Sequence, residues 1–164
     1  MRRVATVLTA ISMTALALVS AQAATLRVGL QDDPDALDPA LSGTYTGRFV
    51  FAALCDKLVD ISPELKIVPQ LAEAWEWAPD GKSLTFTLRK NVTFHDGTAF
   101  DAAAVKYNIE RMKTMPDSKR KAELAPIASV EALAADKVRF NLSEPFVPLL
   151  ANLSDRAGMM VSPK

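Results

Sequence analysis

The sequence predicts a mixed α/β domain, an α+β sheet structure in which strands and helices follow one another along a chain of 164 residues. Two observations carry this prediction. Several short segments alternate apolar and polar residues, as a strand with one buried face does. Residues 102–112 instead place Val105, Ile109 and Met112 on one helical stripe. A sheet with at least one packed helix is therefore expected.

The amino terminus has the pattern of a secretory signal. Met1-Arg2-Arg3 precedes the uncharged and mostly apolar stretch Val4–Val19, and Ala21-Gln22-Ala23 offers small residues for a signal peptidase. A membrane anchor is the alternative, but a spanning helix needs about 20 predominantly apolar residues, and this run is shorter and contains Thr and Ser. We expect cleavage after Ala23, export to the periplasm, and no membrane-spanning segment in the mature chain.

Charge and cysteine content narrow the classes of function. The chain has 19 acidic and 19 basic side chains, and Arg2 and Arg3 belong to the leader, so the remainder is slightly acidic. No basic field exists to attract nucleic acid. Cys55 is the single cysteine, so no intrachain disulfide can form, and we expect it to be a small core residue. A lipidated cysteine would have to follow the signal directly, and Cys55 does not.

The first elements after the leader are a strand, a turn and a helix. Residues 26–30 alternate apolar and other residues, which predicts a strand. Four aspartates in residues 32–39 suggest calcium, but the glycine and glutamate of a helix-loop-helix calcium site are missing, and Asp with Pro favours a turn. Residues 42–47 have the small polar composition of a loop, and residues 48–58 have near-helical apolar spacing.

Residues 75–88 predict a hairpin, with Trp75 and Trp77 in one strand, residues 83–88 in the other, and Pro79-Asp80-Gly81 between them. Val92 and Phe94 continue the alternation to a second turn at Asp96-Gly97. Asp101 has the position of a helix N-cap, and the helix should end before Pro116. Two more strands, 129–133 and 138–142, flank a turn at 135–136, and residues 145–153 could open a last helix.

The single histidine, His95, is weighed as a general base or a metal ligand. Neither prediction is favoured, because adjacent strand residues point to opposite faces and a zinc site needs three or four ligands, while the chain offers one His and one Cys. We expect His95 to end a strand and pack by its ring. No catalytic residue, metal or cofactor is predicted. Two alternatives stay open: a secreted hydrolase using the carboxylates Asp96 and Glu110, or an interaction module with an exposed apolar face.

Residues 69–107, PQLAEAWEWAPDGKSLTFTLRKNVTFHDGTAFDAAAVKY, resemble the signature of the extracytoplasmic solute-binding proteins of family 5, the peptide-, dipeptide-, oligopeptide- and nickel-binding components of ABC importers. The resemblance extends back to residues 37–39 (Leu-Asp-Pro) and forward to residues 138–145 and 162–164. Asp101 stands where threonine is common, and Asp caps a helix equally well. Members of the family are several times longer than this chain.

The resemblance implies the amino-terminal part of a two-lobed periplasmic binding protein of the type II class. Residues 24 to about 52 would begin the first lobe, residues 53–164 would form a small additional α/β domain, and the second lobe would be absent. It implies a non-enzymatic protein that binds a small solute, such as a short peptide, and delivers it to an ABC permease in the inner membrane. Thr44 and Tyr45 are the expected ligand-binding residues. The solute stays open among peptide, nickel chelate, glutathione, opine and haem.

Overall fold

A computed structural model describes residues 25–164. The predicted signal segment and its cleavage after Ala23 lie outside the described residues. Within residues 25–164, no helix is both long and apolar enough to cross a membrane.

Four helices and six strands make up the described chain, together with one short 3-10 helix near its end. The helices are α1 (Tyr45–Leu54), α2 (Ala102–Thr114), α3 (Lys121–Leu124) and α4 (Leu149–Asn152), and the 3-10 helix is Arg156–Gly158. The strands are β1 (Val59–Ile61), β2 (Ile67–Pro69), β3 (Ala72–Trp77), β4 (Ser83–Leu88), β5 (Ile127–Ala134) and β6 (Lys137–Leu142).

The centre of the fold is an antiparallel four-stranded sheet with the order β3-β4-β6-β5. Alternate residues of β4 and β6 are buried, as the period of two predicts. Phe86 and Phe140 meet edge to face with their ring centroids 5.2 Å apart. The apolar stripe of α2 is buried with this face, so sheet and helix close one core. The predicted mixed α/β fold is confirmed.

The predicted turns and cap are also confirmed. Gly81 and Gly97 have φ values of +68° and +82°, the left-handed region that glycine adopts without strain. The carboxylate of Asp101 accepts the backbone N–H of Ala104 at 2.9 Å, which satisfies one donor at the start of α2. The helix ends at Thr114, before Pro116. Because these local signals agree with the packing, the hairpin and α2 lie where the sequence places them.

Three predicted elements differ from the structure. Residues 26–30 form no strand, since no other part of residues 25–164 pairs with them, and Leu26 and Val28 are exposed. The helix expected over residues 48–58 begins earlier, at Tyr45, because Thr44 caps it, and ends at Leu54. The last helix shrinks to four residues. The short pair β1 and β2 and helix α3 were not predicted, because each is too brief to show a period.

Candidate functional site

The loop 42–47, which carries the predicted ligand-binding residues, is built around the carboxylate of Asp35. Its oxygens accept the hydroxyl of Ser42 at 2.8 Å, the backbone N–H of Gly43 at 2.8 Å and the hydroxyl of Thr44 at 2.9 Å. The bond from Gly43 and then that from Ser42 hold the pKa of Asp35 well below its usual range. The turn predicted in the aspartate-rich segment thus places the Asp35 carboxylate where it bonds three groups of the loop 42–47.

Two buried arginines hold the same loop from the other side. The backbone carbonyl of Ser42 accepts from Arg120 at 3.1 Å and from Arg156 at 3.0 Å, and Arg156 also reaches the carbonyl of Thr44 at 3.0 Å. Burial lowers the pKa of the Arg156 guanidinium, and the neighbouring charge of Arg120 lowers it further. Arg120 is paired with Glu123 at 2.6 Å. The loop is therefore fixed by side chains from distant parts of the sequence.

The structure places the two predicted site residues differently. Thr44 is the N-cap of α1, and its hydroxyl accepts the N–H of Gly47 at 3.1 Å while donating to Asp35. Tyr45 is the first residue of α1 and is 70% exposed. Its ring meets Phe49 edge to face, with centroids 4.9 Å apart. The Thr44 hydroxyl is thus occupied within the loop, whereas the Tyr45 ring is available to a ligand.

An open pocket of about 510 Å³ adjoins Tyr45. It is lined by residues 28–32 and, around the start of α1, by Thr44, Tyr45, Thr46 and Phe49. Aromatic faces and a few polar groups are typical of a small-molecule site. A larger groove of about 700 Å³ lies between α2 and β5 and contains none of the predicted ligand-binding residues. We therefore take the first pocket as the candidate site.

The residues considered for catalysis lie elsewhere. His95 lies in the turn before Gly97 and is exposed, so the expectation that its ring packs is wrong. Glu110 is on α2 and pairs with Lys106 at 3.7 Å, while Asp96 accepts from the Ser162 hydroxyl at 2.7 Å. Within the described residues, no group of three or more His, Cys, Asp or Glu side chains could hold a metal ion.

The single cysteine, Cys55, lies directly after α1. It is half-buried, which differs from the expectation that it is a core residue. Burial raises the pKa of its thiol, and the carboxylates of Asp56 and Asp38 raise it further. Both effects favour the protonated thiol, which is a poor nucleophile and a poor metal ligand.

Asp96 gives a pH-dependent prediction. Its hydrogen bonds from Ser162 and then from Thr98 lower its pKa from 3.8 to about 2. Because the folded pKa lies below the unfolded value, the stabilisation is present above pH 3.8 and is lost as the pH falls through about 2. We expect Ser162→Ala to raise the Asp96 pKa toward 3.8, measured by carbonyl NMR titration. Ser143→Ala is the control, and an unchanged Asp96 pKa in Ser162→Ala would contradict the assignment.

Comparisons with family models, curated proteins and solved structures all match this chain to bacterial solute-binding proteins. Residues 66–164 match the family model described as bacterial extracellular solute-binding proteins, family 5 Middle. The chain is 33% identical over 129 residues to the glutathione-binding protein GsiB of Pectobacterium atrosepticum, covering 77% of this chain and 25% of that protein. This chain therefore spans about a quarter of the length of the curated relatives it matches.

Solved structures show the same relation. The binding protein AgaA of A. tumefaciens R10, in complex with agropinic acid, superposes with a TM-score of 0.73 and 34% identity, over 79% of this chain and 26% of that one. The dipeptide-binding protein of Pseudoalteromonas sp. SM9913, in complex with Met-Leu, has a TM-score of 0.70 and 26% identity, over 79% of this chain and 30% of that one.

The fold therefore defines part of a periplasmic binding protein of the type II class, as the sequence predicts. The chain belongs to the bacterial extracellular solute-binding proteins of family 5.

Two arginines of the site, Arg120 and Arg156, were not found from the sequence. They lie 78 and 114 residues from Ser42, so no local spacing links them to the loop. Arginine is mostly exposed in proteins, and its type alone gives no reason to place it in a buried network.

Proposed function

We propose that this protein is the solute-binding component of an ABC importer, working in the periplasm after cleavage behind Ala23. It takes up a short peptide or a similar small solute and delivers it to a permease in the inner membrane, without chemical conversion. The observation that carries the proposal is the family match over residues 66–164. This chain spans about a quarter of the length of its curated relatives. In this proposal the opposing side of the cleft comes from the further length that those relatives have.

The loop 42–47 supplies one wall of the solute cleft in this proposal. Tyr45 offers an aromatic face and a phenol that donates and accepts hydrogen bonds, beside an open pocket. Thr44 contributes by capping α1 and keeping Tyr45 in place, since its hydroxyl already has two partners. Tyr45 is therefore the stronger candidate for direct contact. Solute binding between two lobes would favour the closed form, because contacts with both lobes exist only there.

The division into lobes also stays a proposal. The boundary expected near residues 52 and 53 falls inside the last turn of α1, which continues to Leu54. Domain boundaries fall in segments between elements. We therefore place the change from the first lobe to the additional domain after Leu54, with residues 55–164 holding the four-stranded sheet and α2.

The proposal predicts a difference between this segment and the whole protein. Residues 24–164 should show no measurable binding of glutathione, Met-Leu or agropinic acid, because one wall of a cleft does not desolvate a ligand. The product of the complete reading frame, called the complete product below, should bind at least one solute with a dissociation constant in the micromolar range or below. The solutes tested are these three together with a wider panel of short peptides. Isothermal titration calorimetry checks both statements.

Tyr45→Ala in the complete product separates the site from the fold. It should weaken the binding of that solute about tenfold, the effect of removing one aromatic contact. Tyr107→Ala is the matched control, because Tyr107 is also exposed and borders the other groove, on α2. Micromolar binding by residues 24–164 would contradict the statement that these residues form only one wall of the cleft. A complete product that binds no member of the panel would contradict the proposed transport function.

A further inference from the structure

Arg120 and Arg156 are buried charges in a small domain, with exposed fractions of only 5% and 6%. Arg120 lies just before α3, and Arg156 begins the 3-10 helix. Each has carboxylates nearby, since Arg120 pairs with Glu123 at 2.6 Å and Arg156 lies 3.9 Å from Asp155. Removing a guanidinium from water is costly, and apolar residues of similar size often stabilise a fold as well. Stability alone is thus a weak reason for two arginines here.

What the two guanidiniums have in common is the loop 42–47. Both donate to the carbonyl of Ser42, and Arg156 donates in addition to the carbonyl of Thr44, on the other side of Gly43. Asp35 holds the same stretch through the Ser42 hydroxyl, the Gly43 N–H and the Thr44 hydroxyl. The carbonyls are therefore held by cations and the donors by an anion, so the backbone of the loop is fixed from both sides.

The fixed backbone of the loop also determines the position of Tyr45. Thr44 caps α1, and Tyr45 is the first residue of that helix, so the position of the Thr44 backbone decides where the helix begins and where the Tyr45 ring lies. Among the described residues the Nε atoms of both arginines have no hydrogen-bond partner, whereas their terminal nitrogens donate to the loop carbonyls.

We infer that Arg156 and Arg120 are positioning residues for the solute-binding loop, acting through the backbone carbonyls of Ser42 and Thr44. Neither arginine is among the residues that line the pocket beside Tyr45. The inference rests on the proposed function for its effect on solute affinity, while its effect on the loop is independent of any ligand.

The substitution Arg156→Met, made in the complete product, tests the inference. Charge-assisted hydrogen bonds are among the stronger ones in proteins, so we expect the amides of Gly43 and Gly47 to exchange with solvent at least about tenfold faster by NMR. The amides of strands β4 and β6 should keep their exchange rates within about twofold. Arg156→Lys retains a cationic donor and should recover part of the loop protection. Arg89→Met is the control, because Arg89 donates to the carbonyl of Gln70, away from the loop.

A second measurement follows solute affinity in the complete product, with glutathione, Met-Leu and agropinic acid as probes. Affinity for any probe that the unchanged protein binds should fall about tenfold in Arg156→Met and stay constant in Arg89→Met. Unchanged exchange at Gly43 and Gly47 would overturn the inference, and so would equal acceleration in the loop and the sheet. If the unchanged protein binds no probe, the proposed function fails for these solutes, while the exchange rates still decide the role of the arginines.

Discussion

Gly158→Ala is expected to destabilise the protein by about 3 kcal/mol or more, the upper range of overpacking in a buried site. Gly158 is buried, and a Cβ atom at this position would lie 1.8 Å from the carbonyl oxygen and 2.6 Å from the carbonyl carbon of Leu153. Both are backbone atoms at the end of α4, so no side-chain rotation relieves the overlap. The chain must move, and the buried residues on either side resist that movement.

The movement would spread in two directions. The carbonyl of Gly158 accepts the N–H of Leu58 at 2.9 Å, which ties the end of the 3-10 helix to the residue before β1. Arg156, two residues earlier, holds the loop of the candidate site. Urea denaturation should therefore show a lower midpoint for Gly158→Ala, together with faster amide exchange at Gly43.

Gly29→Ala is the matched control for this prediction, since a Cβ at Gly29 would have no atom of residues 25–164 within 4 Å. Its denaturation midpoint should stay within experimental error of the unchanged protein. Equal midpoints for Gly158→Ala and Gly29→Ala would show that the backbone near Leu153 can adjust at little cost.

The sequence predicts well those parts of the fold in which a local pattern and the packing agree. The alternation of Leu84, Phe86 and Leu88 places β4, and Gly81 closes the hairpin by its positive φ. The strand expected over residues 26–30 has the same kind of alternation and fails. A strand needs a neighbour to accept its backbone hydrogen bonds, and alternation in one segment says nothing about whether that neighbour is present.

The candidate site could be predicted only in part. The composition of residues 42–47 indicates a loop, and the resemblance points to Thr44 and Tyr45. The position of the helix start was missed because a threonine can be a loop residue or an N-cap, and the structure shows the second. Arg120 and Arg156 reach the loop across long sequence distances. Such contacts are set by the packing of α3 and the 3-10 helix, which no local period records.

Gly47→Ala should alter the candidate site itself, and its expected sign contradicts helix propensity. Gly47 lies in the first turn of α1, where alanine would ordinarily stabilise a helix by about 1 kcal/mol. Here the new Cβ would lie 2.0 Å from the hydroxyl oxygen of Ser42. Either that hydroxyl leaves Asp35 or the start of α1 shifts, and both changes disturb a buried and fully bonded residue.

We therefore expect Gly47→Ala to lower the free energy of unfolding by about 2 kcal/mol, the cost of leaving a buried polar group without its partner. In the complete product it should weaken solute binding as well, because Tyr45 moves with the helix start. Gly43→Ala is the control within the same loop, since its Cβ would lie an ordinary 3.8 Å from Asp35. Denaturation and calorimetry of both variants decide the matter. A stabilised Gly47→Ala would mean that Ser42 gives way freely, and that the network around Asp35 does not hold the loop.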